Sequence, residues 1–87
     1  MANHKDAIKR HTQNIRRRAA NRHYRSMMRN QVKKVRAAIE AGDQTVANDE
    51  LRTAIAIIQR IASKKIIHRN QAARRCSRLN AAVKAMA

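Results

Sequence analysis

Apolar residues recur along this chain at helical spacing in three separate runs. Tyr24, Met28, Val32, Val35 and Ile39 make the first, three or four residues apart. Ala47, Leu51, Ala54, Ile58 and Ile61 make the second, at steps of 4, 3, 4 and 3, and Ile55, Ile57 and Ala62 widen it. Ala72, Cys76, Leu79, Val83 and Met86 repeat the same steps in the third. At about 100° per residue each run lines one face of an α-helix. The pattern predicts helices over 5–41, 44–64 and 68–86. Gly42, the only glycine, suits the left-handed position just past a helix end, and Asp43 suits the cap of the next helix. The second boundary carries no strong turn residue. Extending the middle seam would turn Lys65 and His68 inward, which places a break near residues 64–67. Three such stripes on short connections bury one another as an antiparallel three-helix bundle. The expected fold is all-α, with residues 1–87 forming one domain.

The first helix outruns its partners. At 1.5 Å per residue it spans on the order of 55 Å. Between residues 3 and 22 its apolar side chains are only Ala7, Ile8, Ile15, Ala19 and Ala20. These are too few and too small to bury a stripe, so the N-terminal half should protrude from the bundle. A helix without tertiary support is marginal in water, and this segment is expected to gain order on a polyanion.

Charge says which polyanion to expect. Lys and Arg number 21 against 5 acids, for a net charge of +16. Twelve of the basic residues and one acid, Asp6, lie in residues 1–36, and seven with no acid lie in 64–87. The stretch between them carries Arg52 and Arg60 against four acids, so packing in the middle and binding at the flanks is the natural division. Repulsion of this size opposes compaction unless a polyanion releases counterions onto it. Arginine outnumbers lysine 14 to 7, which favours oxygen pairs that fit a planar fork, phosphate above all.

Arg18, Arg22, Arg25, Arg29, Lys33 and Arg36 fall on one narrow face of the first helix, a quarter turn from its apolar face. An ordinary solvated face would intersperse acids for i, i+4 pairs, and none is interspersed between Arg18 and Arg36. Arg16, Arg17 and Arg18 spread over most of a turn, as a helix held between two nucleic-acid strands requires. Lys5, Lys9 and Arg10 continue the basic character towards the N-terminus, and Lys34 adds to it beside the stripe. His68, Arg69 and Asn70 open the third helix, where free backbone N–H groups favour an anion, with Lys64 and Lys65 beside them. Asn70 could cap that helix or read a base edge, and the sequence leaves both open. Arg74, Arg75 and Arg78 lie off the third apolar seam and are expected to face outward.

Other chemistries fit poorly. Cys76 is the single cysteine, so no internal disulfide forms, a reducing compartment is indicated and a buried thiol is expected. His4, His11, His23 and His68 show no ligand spacing, and neither a metal nor a cofactor is implied. No apolar run reaches the ~18 residues of a membrane span. An Arg-rich amphipathic start resembles a transit peptide, but the same character recurs at the far end. Tyr24 is the only aromatic, which argues against base-stacking platforms and for recognition through the shape and phosphates of folded nucleic acid. No nucleophile, base or metal cluster is paired at working spacing, so no enzyme is indicated.

Specific strings narrow the class. Met1-Ala2-Asn3-His4-Lys5 followed by Lys9-Arg10, Arg25-Ser26-Met27-Met28-Arg29 followed by Lys33-Lys34-Val35, Ala38-Ile39-Glu40-Ala41-Gly42-Asp43, and Ile67-His68-Arg69-Asn70-Gln71-Ala72-Ala73-Arg74 with Ser77-Arg78-Leu79 occur in order. Together they resemble the bacterial small-subunit ribosomal protein twenty family over nearly the whole chain. The resemblance implies a three-helix protein with a very long first helix, cytoplasmic and resident in the ribosome. It would bind small-subunit ribosomal RNA directly at the 5′ domain and the long penultimate stem, beside other small-subunit components, and without forming a homo-oligomer. Two residues depart from the family pattern. Lys65 stands where glycine is usual, which bears on the second connection, and Asp6 stands where serine is favoured, which weakens a phosphate contact there. The competing readings are a histone-like DNA-binding architectural protein and a membrane-active cationic helix. The first lacks a zipper, zinc site or recognition-helix turn, and the second lacks the bulky Trp, Phe or Leu that its apolar face would carry before residue 51.

Overall fold

With no proline and no glycine before Gly42, nothing in the covalent chain interrupts a first helix. The computed structural model, which describes residues 4–86, carries it without a break as α1, His4–Glu40. Two shorter helices follow, α2 over Gln44–Ser63 and α3 over Arg69–Lys84. All three agree with the expected helices to within one or two residues. The opening residues 1–3 of the first family string lie outside the described residues.

Both connections are built the same way. At the end of α1, Gly42 sits at φ 73°. Its N–H donates to the Ile39 carbonyl at 3.0 Å, and the Asp43 N–H donates to the Ala38 carbonyl at 3.1 Å. This double closure is a Schellman motif, which satisfies carbonyls that a helix end leaves free. Asp43 then turns at once into the cap of α2, its carboxylate accepting from the Val46 N–H at 3.2 Å. At the end of α2 the Lys65 N–H donates to the Ala62 carbonyl at 2.9 Å, and the Ile66 N–H to the Ile61 carbonyl at 3.2 Å. Here the left-handed position is held by Lys65, at φ 61°.

A side chain in that region costs about 1–2 kcal/mol, which glycine avoids. Glycine gives part of this back through its freer unfolded chain. Lys65→Gly should therefore stabilise the free protein by about 0.5–1 kcal/mol and raise its Tm by roughly 2–8 °C, read by circular dichroism. An unchanged or lower Tm would show that the left-handed turn is not strained.

Packing centres on α2. Its Ala47, Ala54, Ile58 and Ile61 are almost wholly buried. On one side they meet Met28, Val35 and Ala38 of α1, and on the other Ile67, Ala72, Leu79 and Val83. α2 packs against both neighbours, whereas α1 and α3 touch each other only marginally. The seam of α1 is turned from the expected one. Gln31 and Ala38 are buried, while Val32 and Ile39 are only half-buried. A polar contact crosses the bundle on this turned seam, where the Gln31 amide donates to the Glu50 carbonyl at 3.0 Å and also to the Glu50 carboxylate. A buried amide satisfied in this way can occupy a seam position that its polarity would otherwise forbid.

Residues 4–20 of α1 are exposed on every side, so half of the helix stands clear of the bundle. The molecule measures 64 × 21 × 14 Å. Ile8 and Ile15, 65% and 53% exposed, have no partner helix. Cys76 lies half-buried against the core, and burial pushes its thiol above the usual range, leaving it a poor nucleophile at neutral pH.

Candidate nucleic-acid interface

Because α1 is continuous, its basic side chains hold a fixed register. Arg18, Arg22, Arg25, Arg29, Lys33 and Arg36 are all exposed along one face. Helical rise spreads them over about 27 Å. On the projecting half, Lys5, Lys9, Arg10, Arg16, Arg17 and Arg18 are exposed over somewhat more than half of the circumference, and Lys34 is exposed further along. The arm therefore presents cations on more than one side, as the spread of Arg16, Arg17 and Arg18 predicted, and leaves Ile8 and Ile15 on the side without them.

One member of the stripe has another partner. The Arg25 guanidinium donates to the Ile66 carbonyl at 3.4 Å and so leans over the second connection. Lys64 reaches the same place from the other side, its ammonium 5.0 Å from the centre of the Tyr24 ring. These contacts bring the residue 64–69 cluster alongside the middle of α1. Lys65, Arg69 and Asn70 stand exposed there.

The question left open at Asn70 has an answer in the backbone. His68 is the N-cap of α3, its Nδ1 accepting from the Asn70 N–H at 3.1 Å. One of the N–H groups expected to attract an anion is therefore already satisfied, and the Asn70 side chain is not the cap. Imidazole seldom signals a cap in a sequence, so this role was not legible beforehand.

α3 departs more sharply from expectation. Arg74 and Arg78 are exposed as predicted, but Arg75 is half-buried and its Nε finds no hydrogen-bond partner. It lies in a furrow that runs between α1 and α3, which face each other across it without packing. Arg25, Arg29, Lys33 and Arg36 edge the furrow from α1, and Arg74, Arg75 and Arg78 from α3. Met28, Val32, Ile67 and Leu79 supply an apolar floor, together with Gln71. No acid lines it. Gln71 was not among the expected site residues, although its place one turn before Arg75 puts it on the same face.

Among the described residues no group of three or more His, Cys, Asp or Glu could hold a metal ion. No described helix is long and apolar enough to cross a membrane. What remains is a surface of guanidinium and ammonium groups on a rod, fixed to a small bundle.

Fold and surface together define a small, basic, all-helical protein whose charge sits on outward helix faces. The chain belongs to the ribosomal protein S20 family: the sequence model described as Ribosomal protein S20 matches residues 2–84. It is 51% identical over 87 residues to the small ribosomal subunit protein bS20 of Maridesulfovibrio salexigens, covering 100% of both chains. It is 58% identical over 86 residues to the bS20 protein of Colwellia psychrerythraea, covering 99% of this chain and 100% of that one. The Bordetella avium bS20 protein is 52% identical over 87 residues, at 100% of both. The family is one of ribosomal structural proteins, not of enzymes.

Proposed function

We propose that this chain is a structural constituent of the small ribosomal subunit that binds the subunit's RNA directly and stabilises its fold during assembly in the cytoplasm. The bare arm carries this reading. Residues 4–20 are exposed on all sides, and the arm's six cations face only one acid, Asp6. A long helix with no partner helix and cations on more than one side has its stabilising surroundings elsewhere, and phosphates of a folded RNA supply them. The stripe from Arg18 to Arg36 would lie along the RNA backbone, and the residue 64–70 cluster would meet it at the side. By resemblance to the family, the RNA regions touched are the 5′ domain and the penultimate stem.

A salt titration tests this. Binding to folded small-subunit ribosomal RNA is compared with binding to duplex DNA of equal charge. With ~6–10 phosphates neutralised, log K for the RNA should fall against log salt with a slope of about −5 to −9. The RNA should also win clearly at physiological salt. Equal affinity for the two polymers would favour the histone-like architectural reading instead.

A further inference from the structure

α1 and α2 are tied to each other in ways that α3 is not. α2 packs along α1, and the polar bond from Gln31 to Glu50 joins the two. Among the described residues no hydrogen bond ties the body of α3 to either helix. Ala72, Leu79 and Val83 hold it to α2 by apolar contact, and it scarcely meets α1. Open space lies between α3 and α1, in cavities of about 340 and 250 Å³. Arg29, Lys33 and Arg36 face Arg74, Arg75 and Arg78 across it, with no acid between them. Like charges so placed push the two helices apart. The Arg75 Nε is closed to water and has no acceptor. A donor left in that state is costly, and the cost ends once water reaches it. The contacts that reach over from α1 fall on the second connection instead, where Arg25 meets the Ile66 carbonyl and Lys64 the Tyr24 ring. That connection is itself strained at Lys65, φ 61°.

We propose that α3 is a hinged lid. In the folded protein it opens from the α1–α2 hairpin as one unit, turning on residues 64–68, and the orphaned Arg75 donor drives it open. Closing buries the apolar face of α3 on α2, which holds the lid down. Against that stand the unpaired Nε, the repulsion across the furrow and the left-handed turn at Lys65. Opening returns the Nε to water and separates the facing cations in one movement. Elements with few cross-contacts open below the free energy of global unfolding, in contiguous cooperative units. α1 and α2 are then the constant body of the free chain, and α3 is its movable part. The device belongs to the free chain and is independent of the RNA reading.

Native-state hydrogen exchange of the full-length chain tests the lid. Backbone amides from Ala73 to Asn80 should share one opening free energy and exchange on the order of 100-fold faster than those from Ala54 to Ile58 in α2. A gradient running inward from Lys84 would reduce the motion to end fraying, and equal protection in α2 and α3 would make unfolding all-or-none. Either result overturns the proposal. Val35→Ala weakens the contact of α1 with α2, so the α2 amides should exchange about tenfold faster while those of α3 keep the parent rate. Matching acceleration in both helices would overturn it. Should that variant not fold, low urea on the parent gives the same reading, because sensitivity to urea scales with the surface exposed. Exchange should then rise steeply with urea in α2 and weakly in α3, and equal slopes would sink the lid. Arg75→Met keeps most of the side-chain length and removes the orphaned donor, and it should slow α3 exchange about fivefold or more. An unchanged or faster rate would make Arg75 a support of the closed lid and overturn its part in opening.

Discussion

Replacing Arg18, Arg22 and Arg29 together by alanine should lower affinity for small-subunit ribosomal RNA by about 10²–10³-fold at physiological salt, while Arg52→Ala with Arg60→Ala changes it by less than about threefold. All five side chains are exposed, so exposure alone does not separate the two sets. Their surroundings do. The first three share one face of α1 with no acid in its i, i+4 neighbourhood, so each is free to spend its charge on a phosphate. Arg52 and Arg60 lie on α2, the helix that carries Asp49 and Glu50 and makes the core. Losing one phosphate contact costs roughly five- to tenfold, and three such losses on one rigid face multiply. Alanine is the best helix former, so the rod survives the change and the loss reads binding alone. Arg25 is left out because its guanidinium also bonds the Ile66 carbonyl, and its removal would mix binding with bundle geometry. Equal losses from the α1 and α2 sets would reduce recognition to net charge and remove the face.

Legibility in the sequence stopped where contacts cross between elements. The three apolar stripes could be read because helical period is a local property, and all three helices followed. The first turn could be read because Gly42 and Asp43 have local backbone reasons to be there. By contrast, the turned seam of α1 includes Gln31, whose amide bonds to Glu50 nineteen residues away, and no local pattern marks a buried amide as satisfied. Lys65 gave a warning only by resemblance, as a departure from glycine. The left-handed turn it adopts goes with two hydrogen bonds, from the Lys65 N–H to the Ala62 carbonyl and from the Ile66 N–H to the Ile61 carbonyl. The charged surface divides in the same way. Arg16 to Arg18 on the arm were legible, because an arm has no tertiary context to alter them. Arg75 was not, because its burial depends on how closely α1 and α3 approach after both have packed on α2.

The largest effect on stability should come from Ile58→Ala. Ile58 is fully buried in α2, the one helix that packs against both others. Removing its side-chain carbons leaves a cavity between two interfaces at once, at a cost of about 2–5 kcal/mol. A chain of this length holds about 4–13 kcal/mol in total, and the mutual repulsion of its cations puts it towards the lower end. The free variant should therefore melt at least about 10 °C below the parent, with much of its helical signal already lost at 37 °C. Ribosomal RNA should restore part of it, because a ligand that binds only the folded bundle adds about 2.7 kcal/mol at a concentration 100-fold above Kd. Measured affinity then falls only by the fraction of bundle left folded, not by any lost contact. Ile15→Ala supplies the contrast, since that side chain is 53% exposed on the arm and should shift the free Tm by no more than about 0.5 kcal/mol allows. If both substitutions moved the Tm equally, the arm would have a packing partner within the protein and could not be the bare rod that the RNA reading needs.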